Sequence, residues 1–282
     1  MKIFLTLLLF CLFQSFFAFG EVKFSNFKDI KITKTNFELQ EISADLDLPW
    51  GITFLDNEHL LITEKTGKLL KININTGSKV EINHQLNVHI NTRQGGLLDV
   101  LYHDGFVYFT YTMKRGGGNT EFTSTAIARG KITNQSIVDK EILFIAEPKL
   151  TMGVHYGSRL FIKDNFLFAS IGERGQFMIA QDGSQHPGSI IRINLDGSVP
   201  KDNPKFINQP SWLPEIFQIG VRNPQGMTLS PFNNELYISN HGARGGDFVG
   251  IITKGGNYGW PKIGWGGKNY DHSIIGDGEP FK

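Results

Sequence analysis

The sequence predicts an all-β fold of the β-propeller type. Short apolar runs alternate with polar turns from Trp50 onward, an antiparallel unit with a fixed internal layout recurs along the chain, and helix-period patterns are absent outside the N-terminal apolar segment. The stretch WGITFLDNEHLLITEKTGKLLKININTG contains a strand at Gly51–Phe54, a turn at Asp56-Asn57, a strand at Leu60–Glu64, a Thr-Gly turn and a strand at Lys68–Ile74. The same grammar returns in SRLFIKDNFLFASIGERG, with Asp164-Asn165 as the turn, and in GMTLSPFNNELYISNHG, with Asn233-Asn234 as the turn. Small twisted sheets packed radially give such a repeat, and 23 Phe suit the wide contacts between their faces. A β-sandwich with irregular spacing is the alternative. Polar residues gathered at corresponding strand ends favour the propeller, where those ends meet near a central channel. The absence of helical periodicity argues against a dinucleotide-binding α/β fold.

Composition agrees with one such domain. The chain has 282 residues, 20% charged and 40% hydrophobic, with 32 Gly, long enough to bury a large core. With 28 Lys and Arg against 27 Asp and Glu, no long-range field favours nucleic acid or an anionic surface, and a neutral substrate fits best.

The N-terminus has the layout of an export signal. Lys2 supplies the charge, IFLTLLLFCLFQSFF the apolar core and Ala18-Phe19-Gly20 the cleavage site, so residues 1–20 are expected to be removed and 21–282 to form the propeller domain. A membrane anchor is the alternative, but the run falls short of the ~20 residues a spanning helix needs. The only cysteine, Cys11, lies in that signal, so disulfides, thiolate metal sites and a Cys nucleophile are not expected in the mature chain. A periplasmic or secreted location without a membrane span follows as the expectation. Gly116–Gly118 in MKRGGGNT reads as a loop tip, since it lacks the Lys and Ser/Thr of a phosphate-binding loop.

Four places combine glycine with polar side chains at strand ends: RQGGLLDV around Gln94, VHYGSRL around His155, SIGERG around Glu173, and the pair VRNPQG and NHGARGGD. Each alone is also what an ordinary turn looks like, and a lone His155 is also what a packed or loop histidine looks like. The segment QIGVRNPQGM reads as an Arg-Asn-Pro-Gln turn between two strands, with Pro224 fixing its backbone and Gln225 and Gly226 completing it.

Taken in order, LPWGITF, RQGGLLDV, EPK, HYGSRL, GERG, AQD, GSIIRINLDGSVPKDNP, PEIFQIGVRNPQG, HGARGGD and GGNYGWP resemble the soluble aldose sugar dehydrogenases that use pyrroloquinoline quinone (PQQ), the glucose/sorbosone dehydrogenase-like family of six-bladed propellers. The resemblance implies oxidation of an aldose to its lactone by hydride transfer to PQQ. It implies that His155 is the general base, suited to the task by a pKa near working pH. Glu173 stands where the family usually has Asp beside the base and touches substrate, and Gln94 supplies a substrate-side amide. Arg222 and Asn223 contact the quinone's reactive carbonyl edge, where a guanidinium stabilises developing negative charge. His241 flanks the cofactor, with a strand-end surface histidine as the alternative. The carbonyls of Gly242 and Ala243 bind a Ca²⁺ that polarises the quinone, and the carbonyl of Tyr258 contributes to a second calcium. A periplasmic quinone or cytochrome is the implied electron acceptor.

Two departures stand out. Where the family commonly has Gly-Gly-Asp-Glu, this chain has Gly245-Gly246-Asp247-Phe248, which puts the second calcium in question. The sequence also stops at Lys282, soon after GWGGKNY, without counterparts to the last blades and to the lysine and arginines that hold the quinone carboxylates. An incomplete propeller with little activity is the expectation from that ending. The rival readings are a calcium-dependent hydrolase such as a lactonase, which needs a metal site rich in side chains, and a non-enzymatic binding propeller.

Overall fold

The computed structural model describes residues 40–90, 93–115, 121–205 and 211–276. The expected export signal with Cys11 and the glycine run Gly116–Gly118 lie outside the described residues. Four antiparallel sheets follow one another along the chain. The first contains β1 (Pro49–Phe54), β2 (His59–Glu64), β3 (Leu69–Asn73) and β4 (Lys79–Ile82). The second contains β5 (Leu97–His103), β6 (Phe106–Arg115), β7 (Phe122–Ile132) and β8 (Ile137–Ile145). The third contains β9 (Gly157–Lys163), β10 (Phe166–Ile171), β11 (Ser189–Asn194) and β12 (Ile216–Ile219). The fourth contains β13 (Asn223–Leu229), β14 (Leu236–His241) and β15 (Phe248–Ile251). Each sheet is a meander in chain order, and the first strands β1, β5, β9 and β13 neighbour one another in succession. This is a propeller arrangement of blades, as the repeat predicted.

Local chemistry explains the hairpins. Asp164 and Asn165 both take positive φ, 52° and 61°, in the two-residue link between β9 and β10, and Asp104-Gly105 does the same between β5 and β6 at 47° and 82°. Such primed turns match the twist of the paired strands, and Asp, Asn and Gly tolerate them best.

Strand alternation then places apolar side chains on both faces. Leu61 of β2 joins Leu69, Ile82, Leu97, Val100, Phe109 and Ala126 between the first two blades. Tyr108, Ile127 and Phe144 meet Leu160, Leu167 and Ile191 between the second and third. Phe168 and Ile190 meet Val221, Met227 and Ile238 between the third and fourth. The opposite face of the first blade gathers Leu60, Ile62, Leu70 and Ile72.

One expectation is overturned. Asn223, Pro224, Gln225 and Gly226 do not form a turn; they open strand β13, paired with β14 through Asn223 to His241, Pro224 to Asn240 and Gly226 to Ser239, with a bulge at Gln225. Their carbonyls are drawn toward the third blade, where Ser170 Oγ donates to Pro224 O at 2.8 Å and Arg159 Nε donates to Gln225 O at 2.8 Å. Proline is tolerated because it stands at the start of the strand, where a missing N–H interrupts the ladder least.

Candidate active site

The topology brings the singled-out residues to one end of the blades. Gln94, His155 and Arg222 lie just before the first strands β5, β9 and β13, while Glu173 and His241 lie at or just past the ends of the second strands β10 and β14. In an antiparallel meander the start of one strand and the end of its partner share an edge, so residues far apart in sequence meet there.

His155 is held from several sides. Its backbone takes a left-handed φ of 53°, uncommon for a residue with a side chain. Its N–H donates to Gln94 Oε1 at 2.6 Å, and the Gln94 N–H donates to Gly153 O at 3.0 Å. Gly172 passes so close that a Cβ there would lie 2.1 Å from the His155 carbonyl oxygen. The imidazole Nδ1 contacts Glu173 Oε1. Glu173 is buried, and its Oε2 accepts the Phe177 N–H at 2.8 Å at the head of a short 3₁₀ helix, Phe177–Gln181. A carboxylate with one oxygen on a backbone donor accepts at the other, so Nδ1 carries the proton and Nε2 is the basic nitrogen.

Arg222 belongs to the same constellation. Its carbonyl accepts the Glu173 N–H at 2.8 Å, and its own N–H and that of Asn223 both donate to Asn240 Oδ1, at 3.1 and 3.0 Å. The guanidinium is buried and poorly satisfied: Nη1 reaches His241 O at 3.4 Å, and Nε has no hydrogen-bond partner. Its carbon lies 5.4 Å from the Trp260 ring centre and 5.8 Å from that of Tyr270. Burial pulls its pKa below the usual guanidinium value, against the opposing pull of Glu173, Tyr270 and Asp247. A buried donor left open in this way is suited to an acceptor supplied by a ligand.

Asn223 Oδ1 accepts the Gly157 N–H at 3.0 Å, which ties the fourth blade to the start of the third. The His241 imidazole is 54% exposed and lies 3.9 Å from Asp247 Oδ2; both line an open groove of about 240 Å³. Gly242, Ala243 and Tyr258 line one small cavity of about 10 Å³, room for about one water-sized particle. Phe248 occupies part of its wall and packs on Tyr258 and Trp265 with ring centres 4.7 and 5.1 Å away. Asp247, its neighbour, turns Oδ1 to the Gly242 N–H at 2.8 Å.

Sequence reasoning gave no role to Asn240, which fixes two successive backbone donors at Arg222, nor to Trp260 beneath the guanidinium. Their only signal was membership in the motifs NHGARGGD and GGNYGWP. The pair of buried Asp99 and partly buried Arg159 also escaped it. Arg159 Nη1 donates to Asp99 Oδ1 at 2.6 Å, and its guanidinium covers Trp50 at 4.5 Å.

Comparison with known proteins now decides the family. The profile described as Glucose / Sorbosone dehydrogenase matches residues 46–281. The chain belongs to this family. It is 35% identical over 262 residues to an aldose sugar dehydrogenase of Escherichia coli, covering 90% of this chain and 69% of that protein. It spans 57% of the length of two further curated relatives. Among solved structures, the apo-form of the soluble aldose sugar dehydrogenase from Escherichia coli superposes with a TM-score of 0.77 at 34% identity, covering 84% of this chain and 70% of that one. The PQQ-bound aldose sugar dehydrogenase from Streptomyces coelicolor gives 0.65 at 25% identity over 84% and 69% of the two chains. Membership makes the chain one of the sugar-oxidising oxidoreductases, built on the propeller that its PQQ-bound relative shares.

Proposed function

We propose that the site oxidises an aldose at its anomeric carbon to the lactone, with His155 as general base. The observation that carries this reading is the linkage of His155, Glu173 and Arg222: one buried carboxylate meets the imidazole with its side chain and the arginine's backbone with its N–H.

The residues present fit a quinone carrying carbonyl and carboxylate oxygens, because Arg222 Nε is buried without a partner and Trp260 lies flat-sided beside the same guanidinium. Bound PQQ would supply the two-electron acceptor that receives the hydride equivalent from the sugar. The protein supplies the rest. His155 Nε2 takes the proton of the anomeric hydroxyl, and Glu173 stabilises the resulting imidazolium through Nδ1. Arg222 offers fixed positive charge where negative charge accumulates on the acceptor. Gln94 has its oxygen committed to the His155 N–H, which leaves its NH₂ as the group available to a sugar oxygen.

A calcium ion would be held by the carbonyls of Gly242 and Ala243, with Tyr258 beside them. Backbone carbonyl oxygens are a donor set suited to Ca²⁺, which accepts flexible all-oxygen coordination. The export signal expected over residues 1–20 supports action in the periplasm or outside the cell, with a quinone or cytochrome there as the electron acceptor.

The test is reconstitution of the purified chain with PQQ and Ca²⁺, followed by dye reduction with aldoses. Turnover that His155→Ala lowers by about 10²-fold or more supports the assignment. Equal turnover in that variant, or quinone binding unaffected by Arg222→Ala, overturns it.

A further inference from the structure

Arg174 follows Glu173 directly and is among the largest side chains that are fully enclosed. Its guanidinium lies over the Tyr156 ring at 3.9 Å and donates to neutral oxygens: Nε to Val154 O at 2.9 Å, Nη1 to Thr123 O at 2.8 Å, and Nη2 to Thr123 Oγ1 at 2.8 Å and to Met152 O. Thr123 Oγ1 in turn meets the Tyr156 hydroxyl at 2.9 Å. Because the Gln94 N–H takes Gly153 O, the three successive carbonyls before His155 each point at a fixed donor. The next backbone group, the His155 N–H, is held by Gln94 as well. Two consecutive side chains therefore act on one histidine: Glu173 sets the ring, and Arg174 sets the loop that carries it.

We propose that Arg174 is a positioning residue for His155, clamping the Met152 and Val154 carbonyls so that the imidazole meets Glu173 in a left-handed backbone conformation that would otherwise relax. A planar fork with five donors can serve two carbonyls, a third backbone oxygen and a hydroxyl at once, which an ammonium cannot. The cost of burying a cation among neutral oxygens is tolerated because the loop needs several donors at fixed angles. The assignment rests on His155 as the base, but the clamp itself is a statement about this chain's own geometry.

The experiment compares Arg174→Met and Arg174→Lys with the unaltered protein. Without cofactor, the proton resonance of His155 Nδ1–H, expected far downfield for a proton held by a carboxylate and read in ¹⁵N-histidine-labelled protein, should broaden or move upfield in Arg174→Met and to a smaller extent in Arg174→Lys. In quinone-loaded protein, kcat for an aldose should fall by about 10²-fold in Arg174→Met while KM changes by less than about threefold, as expected for a misplaced base rather than lost binding. If the Met variant does not fold, Thr123→Val, which removes one acceptor of the clamp, should move the same resonance in the same direction. An unshifted resonance with unchanged kcat in a folded variant overturns the proposal. A shifted resonance in protein that oxidises no aldose supports the clamp and removes the proposed function instead.

Discussion

Glu173 and Arg222 are joined through the main chain: the N–H of the carboxylate residue donates to the carbonyl of the arginine at 2.8 Å, across the junction of the third and fourth blades. Because Glu173 Oε1 also meets His155 Nδ1, the base and the cation are fixed relative to each other through one residue.

Replacing that carboxylate by an amide tests its electrostatic part. In Glu173→Gln the side-chain oxygen still accepts the Phe177 N–H, so the fold is kept, but the remaining NH₂ cannot accept from Nδ1–H and favours the wrong tautomer. Steady-state kinetics of quinone-loaded protein should show kcat lowered by about 10²-fold or more with KM for the aldose little changed. A loss of less than about twofold would count against Glu173 as the orienting group.

Gly172→Ala tests the close approach behind the base. The glycine φ is unexceptional, so the strain comes from contact alone: the new methyl would sit 2.1 Å from His155 O and 2.5 Å from its carbonyl carbon. Thermal or urea unfolding should register a loss of about 1–3 kcal/mol, and the His155 resonances should shift. A variant as stable as the parent, with those resonances in place, would mean that the backbone yields there at no cost.

Asp99 gives the chain a pH dependence of defined sign. Burial pushes its carboxyl up to about 6 despite Arg159 and the Leu160 N–H, while the unfolded chain titrates near the ordinary value of 3.8. The folded form therefore keeps a proton that the unfolded form has released. The contribution of this group to stability is full below about pH 4 and declines as pH rises through about 6, by about 3 kcal/mol in all. Urea unfolding of the parent and of Asp99→Asn across that range should show the parent losing this increment relative to the variant. A difference between the two that does not change with pH would contradict it.

Phe248→Ala addresses the position where the family commonly has a carboxylate. Phe248 is half-buried between Tyr258 and Trp265, so its loss should cost about 2 kcal/mol, below the about 3–5 kcal/mol of a fully enclosed phenylalanine. Chemical denaturation measures it. An unchanged midpoint would show that the aromatic contact adds nothing to the blade edge.

The sequence alone determined the blade grammar of this protein. Period-2 apolar runs and Asx turns such as Asp164-Asn165 are set by neighbours in the chain, where side-chain alternation and tolerance of positive φ act locally. The ordered motifs also determined the family and pointed to Gln94, His155, Glu173 and Arg222. Tertiary structure decided what those residues touch. Whether Asn223-Pro224-Gln225 turns or pairs depends on Ser170 and Arg159 of another blade, which draw its carbonyls outward. The oxygens of Gln94 and Asn223 proved to be committed to backbone N–H groups of the third blade, and Arg174 to carbonyls of the loop before His155. A hydrogen bond between distant segments requires both partners at a fixed distance and angle, and only the packing of one blade against the next supplies that.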